Sequence, residues 1–181
     1  VGLPDLHAGK VPVGVAIVTE DIIYPHLIGN DIGCGMALFE TGIKKIRFKK
    51  DQVLKKLQKL SENDNVDMED FTEDSDEEFS SKIGTIGSGN HFAELQEIDT
   101  IYDREALDEI GISKKEIYLL VHSGSRSLGE SILRNYLENN HGSKGLKSNS
   151  EEFENYINDH NKALNFAKRN REAVAHKIIL Q

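Results

Sequence analysis

The chain has 181 residues, 38% of them hydrophobic, and a single cysteine, Cys34. That is enough chain for one real core, too few cysteines for an internal disulfide, and no apolar run able to cross a bilayer as a helix; the expectation is a protein of the reducing cytosol with no membrane partner. The formal net charge of −9 is hostile to nucleic acid until it is located: residues 61–79 hold ten acids and no Lys or Arg, and the other 21 acids face 22 bases. The acidity belongs to one tract, read as a solvated loop, and leaves the partner class open.

In chain order, Pro4-Asp5-Leu6-His7 places a carboxylate and an imidazole two apart. His7 fits a turn histidine first, with a metal or phosphate contact as the alternatives. Residues 11–19 look strand-like around Gly14. Next comes a glycine-rich turn, residues 28–36, in which Asp31 and Cys34 stand three apart among Gly29, Gly33 and Gly35. Thiolate, imidazole and carboxylate together suit a transition metal, and sulfur argues against magnesium or calcium. A lone cysteine is also a common small buried hydrophobe, so both readings stand at this point. Residues 36–41 leave the turn as a strand.

Residues 51–60 have the apolar spacing of a helix (Val53, Leu54, Leu57, Leu60), with Asp51 as its N-cap. After the acidic tract, residues 84–95 combine three glycines in six positions with Asn90, His91, Phe92 and Glu94. Such a turn can gather backbone N–H groups around an anion, or it can be an ordinary entry to the strand that follows at residues 92–98. Residues 116–122 form the clearest buried strand, and it runs into Ser123-Gly124-Ser125-Arg126 before a helix. Strand, Gly/Ser/Arg turn and helix form an arrangement suited to phosphate. The Walker spacing is missing. Residues 141–149 look like a polar linker, and residues 151–180 form one long amphipathic helix carrying His160, Asn170 and Arg171. Both ends of the chain look cut, which predicts one domain, 1–181, belonging to a longer protein.

Four of these patches, in this order, resemble the RtcB-type RNA ligases: Pro4-Asp5-Leu6-His7, Asp31-Ile32-Gly33-Cys34-Gly35, Gly87-Ser88-Gly89-Asn90-His91-Phe92 with Glu94, and Val121-His122-Ser123-Gly124-Ser125-Arg126. Asn170-Arg171 is similar to that family's helical Asn-Arg. The resemblance implies an α+β fold whose mixed or antiparallel sheets line a metal cleft with flanking helices; the runner-up is a doubly wound nucleotide fold. It implies Asp31, Cys34, His91 and His122 as ligands of two manganese ions. It also implies Asn90, Phe92 and Glu94 at bound GTP, and His7, Ser123, Ser125, Arg126 and Arg171 as candidate phosphate or RNA contacts.

The implied reaction joins RNA 3′-phosphate or 2′,3′-cyclic phosphate ends to 5′-hydroxyl ends through a guanylylated histidine, in tRNA splicing or RNA repair, with an archease-like activator as a further partner. That histidine would lie C-terminal to Gln181, which makes this chain alone inactive. Ser127 and Glu130 depart from the family pattern and suggest a divergent branch. From the residues themselves, a metal-dependent phosphoesterase or a non-catalytic RNA-end-binding protein fits equally well.

Overall fold

The computed structural model describes residues 1–9, 11–60, 71, 77–138 and 144–180. Most of the acidic tract and His141 therefore lie outside the described residues. The chain divides into two compact units, residues 1–32 with 127–163, and residues 33–126 with 164–181.

In the first unit, β1 (Gly2–His7) pairs antiparallel with β2 (Val13–Val15), and β3 (Ile22–Ile23) with β7 (Leu146–Lys147). The helices are the short α1 (Pro25–Ile28), α5 (Ser127–Tyr136) and the first part of α6 (Glu151–Ile179). The strand expected over residues 11–19 is only three residues long. At its middle Gly14 takes φ +69°, and a Cβ there would sit 2.8 Å from the Leu6 nitrogen, so the two chains meet where only glycine fits. His7 ends a strand and not a turn; its Nδ1 donates to the Asp5 carbonyl at 2.6 Å. The polar linker also needs correcting, because Leu146 and Lys147 pair with β3 and Gly145 allows that approach against Ile22.

In the second unit, β4 (Gly35–Lys44), β6 (Glu116–Ser123) and β5 (Phe92–Gln96) form a three-stranded antiparallel sheet in the order β4-β6-β5. The antiparallel pairing removes the doubly wound alternative and gives the α+β class with flanking helices. The central strand is β6, whose residues are nearly all buried, as its unbroken apolar run requires. By contrast β4 alternates half-buried and exposed along its whole length, the pattern of an outer strand with one wet face. Leu119 and Val121 of β6 pack with Val174 and Ala175 of α6, joined by Phe39, Ala93 and Leu95 from the neighbouring strands. Alternation along β6 then turns His122 to the opposite face, away from that core. Among the described residues this unit also has the α-helices α2 (Lys50–Leu60), α3 (Glu77–Ser80) and α4 (Arg104–Glu109). Asp103 caps α4, accepting from the Ala106 N–H at 3.0 Å. At α2 the helix starts one residue ahead of the expected cap, which puts Asp51 in the first turn, where its charge favours the helix dipole.

Candidate metal centre

Three segments of the second unit deliver the centre. Gly33, at φ +73°, makes the turn that leads into β4 and sets Cys34 at its entrance. A Cβ on Gly33 would meet the Ala167 Cβ at 2.8 Å, so glycine is what lets this turn lie on α6. The 84–90 turn, with Gly84, Gly87 and Gly89 all at positive φ, carries His91 to the start of β5. The end of β6 brings His122 opposite both Met36 and Phe92 in the cross-strand register.

The donor atoms of Cys34, His91 and His122 all lie within 4.8 Å of one another. The Cys34 sulfur is 3.2 Å from His122 Nε2 and 3.6 Å from His91 Nε2. Aromatic packing orients the His122 ring: the His91 and Phe92 rings each stand edge-on to it with centroids 5.3 Å away. His122 Nε2 faces the sulfur, while its Nδ1 is buried with no hydrogen-bond partner among the described residues. His122 is buried, His91 half-buried and Cys34 exposed. The exposed thiol removes the buried-hydrophobe reading of Cys34. One thiol and two imidazole nitrogens converging on a point are a donor set for a borderline divalent cation.

The remaining sequence candidates divide by position. Asp31 and His7 belong to the first unit. Asn90 and Glu94 are exposed, and the Glu94 carboxylate accepts from Gln96 Nε2 at 2.8 Å. Arg126 takes φ +56°, a left-handed conformation uncommon for a side-chain-bearing residue. Its Nε donates to Thr85 Oγ1 at 3.3 Å and its guanidinium lies against Gly87. Ser125 is fully buried and its hydroxyl has no hydrogen-bond partner among the described residues. Ser123 is also fully buried; its hydroxyl donates to the Ile86 carbonyl at 2.8 Å and accepts from Asn170 Nδ2 at 2.9 Å. Arg171 Nη1 donates to the carbonyls of Gly33 at 2.8 Å and Ser123 at 2.7 Å. Sequence reasoning gave Asn170 no role. The signal was a polar Asn-Arg pair interrupting the apolar stripe of a long helix, at a position that is 0% exposed.

Comparison with known proteins bears on this geometry. The family model described as tRNA-splicing ligase RtcB matches residues 1–63 and 47–181. An RNA-splicing ligase RtcB2 of Escherichia coli is 41% identical over 188 residues, covering 100% of this chain and 48% of that protein. A tRNA-splicing ligase RtcB of Methanococcus maripaludis is 27% identical, over 97% of this chain and 50% of its own length. One from Nanoarchaeum equitans is 36% identical over 110 residues, covering 54% of this chain and 23% of its own length. The chain spans about half the length of the first two relatives.

Proposed function

Because the chain belongs to the RtcB family, we propose that it carries the metal-holding part of an RNA ligase that joins 3′-phosphate or 2′,3′-cyclic phosphate ends to 5′-hydroxyl ends. The observation that carries this reading is the convergence of Cys34, His91 and His122 donor atoms within 4.8 Å. In this reading those three residues hold divalent cations; Asp31 as a further ligand comes from the family likeness and is outside the observed donor cluster. Manganese, and the number of two ions, come from the family likeness; the donor set fits such ions without selecting manganese. A bound cation would supply Lewis acidity to phosphoryl oxygens. The chain's own residues would set the frame for that chemistry. His91 and His122 offer Nε2 toward Cys34, and Phe92 keeps the His122 ring from turning. Asn90, Phe92 and Glu94 would contact GTP at the mouth of the 84–90 turn. His7, Ser125 and Arg126 remain proposed contacts for phosphate or RNA.

The covalent step proposed is attack of a histidine nitrogen on the α-phosphate of GTP with loss of pyrophosphate, transfer of the guanylate to the RNA 3′-phosphate with release of the histidine, and attack of the 5′-hydroxyl on that phosphate with loss of GMP. That histidine would stand beyond Gln181. A tRNA-splicing or repair role in the cytoplasm and an archease-like activator belong to the same proposal.

The test uses a polypeptide containing this chain together with the matching C-terminal half. Supplied with Mn²⁺ and α-labelled GTP, it is expected to take up a label that survives denaturation, to join 3′-phosphate RNA to 5′-hydroxyl RNA, and to lose both on Cys34→Ser. Phosphate release with no covalent label would support the phosphoesterase reading in its place.

A further inference from the structure

Asn170 and Arg171 sit side by side on α6, and neither offers an atom to the donor cluster. A fully buried asparagine is costly unless its amide is satisfied. Here it is satisfied by two loops distant in sequence. Its Oδ1 accepts from the Gly84 N–H at 2.8 Å and the Thr85 N–H at 3.3 Å. Its Nδ2 donates to the Ser123 hydroxyl at 2.9 Å and the Thr85 carbonyl at 3.0 Å. The next residue, Arg171, ties the Gly33 and Ser123 carbonyls through one nitrogen. Gly33 immediately precedes Cys34, Ser123 immediately follows His122, and Gly84–Thr85 begin the turn that delivers His91. The Ser123 hydroxyl closes the circuit onto the Ile86 carbonyl.

We infer that Asn170 and Arg171 are positioning residues that fix the Cys34, His91 and His122 segments against one another. The inference rests on the reading of that cluster as a metal centre and adds the device that spaces it. Without Arg171 the Gly33 and Ser123 carbonyls lose their shared donor, and the turn before Cys34 is left with the Gly35–Ser123 pairing of β4 and β6 as its tie to the His122 strand. Without Asn170 the part-buried N–H groups of Gly84 and Thr85 lose their acceptor, and the turn before His91 loses that anchor to α6. Outer groups that orient metal ligands typically change affinity by about 10–100-fold when removed. The same assignment gives Arg171 a job other than meeting phosphate; because one nitrogen makes both bonds, a lysine ammonium with its three donors can replace it in part.

Cobalt(II) titration of the chain tests this, read through the thiolate-to-cobalt absorption and the intensity of the d–d bands. Arg171→Met is expected to lower cobalt affinity by about 10–100-fold and to change the d–d spectrum, with the circular dichroism of the metal-free protein unchanged. Arg171→Lys is expected to recover part of the affinity. Asn170→Ala should act in the same direction, and if it fails to fold the two Arg171 variants decide. Wild-type affinity and spectrum in Arg171→Met, or in Arg171→Lys should the Met variant not fold, would overturn the positioning role while leaving the metal centre standing. Loss of RNA binding in Arg171 variants with cobalt binding intact would also overturn it. A wild-type chain showing no thiolate-to-cobalt band, or an identical spectrum in Cys34→Ser, would bring down the metal-centre reading and this inference with it.

Discussion

Cys34 is exposed, beside two imidazoles, on a turn held by its neighbours' backbone. Replacing it should therefore cost little folding free energy. Cys34→Ser is expected to change stability by only about 0.5 kcal/mol, as at other surface sites, while removing divalent-metal binding, because serine offers no alkoxide near neutral pH. Denaturant melts and metal titrations of the same preparation check this; a large fall in metal-free stability would return Cys34 to a packing role. With one thiolate and two imidazoles, zinc should also displace manganese, following the usual order of affinities. Equal competition between the two ions would mean that the sulfur is not a ligand.

Tyrosines in the first unit carry a separate residue-scale prediction. Burial, then the Asp159 carboxylate that also accepts its hydrogen bond, pushes Tyr136 up to about 12. Burial, then Tyr136 itself, pushes Tyr156 up to about 12. An unfolded tyrosine ionises near 10, so between these values the unfolded chain releases phenol protons first. Their stabilising contribution is intact below about pH 10 and lost as pH rises toward 12. Urea melts across that window should fall more steeply for the wild type than for Tyr156→Phe, and parallel curves would contradict the assignment. The three residues of the donor cluster, Cys34, His91 and His122, were legible in the sequence because thiol, imidazole and glycine cluster within short motifs. Asn170 was not, because its partner Gly84 lies 86 positions away and presents only a main-chain group.

At the scale of elements, the long periods were readable and the short pairings were not. The β6 strand and the α2, α5 and α6 helices follow from apolar spacing, since enough residues repeat to set a face. β7 has two residues, no period, and exists through pairing with β3. The turns were visible as glycines, while their reasons needed the structure. Gly33→Ala should be costly, because φ is +73° and the new Cβ meets Ala167; strain and contact together amount to about 1–3 kcal/mol. Gly111→Ala, at the same φ of +73° but with open space around it, should cost less and is the natural control. Thermal melts of the pair decide, and equal losses would show that the Gly33 turn does not rest on α6. In the core, Leu119 is 1% exposed between the sheet and α6. Leu119→Ala should cost about 2–5 kcal/mol, measured by denaturant unfolding.

At the scale of the whole molecule, an RtcB-family chain about half the length of its first two relatives carries a three-residue donor cluster. The 181-residue chain given Mn²⁺ and α-labelled GTP is expected to bind metal and form no covalent guanylate. A stable label lost on replacing His141, His160 or His176 would place the nucleophile within this chain. The most direct test of the central claim is X-ray absorption at the zinc edge on the zinc-loaded chain. One sulfur at about 2.3 Å and two imidazole nitrogens at about 2.0–2.1 Å are the predicted shells, and Cys34→Ser is expected to retain no zinc. A spectrum fitted by light atoms alone, with no sulfur in the wild type, would contradict the claim that Cys34, His91 and His122 hold one metal.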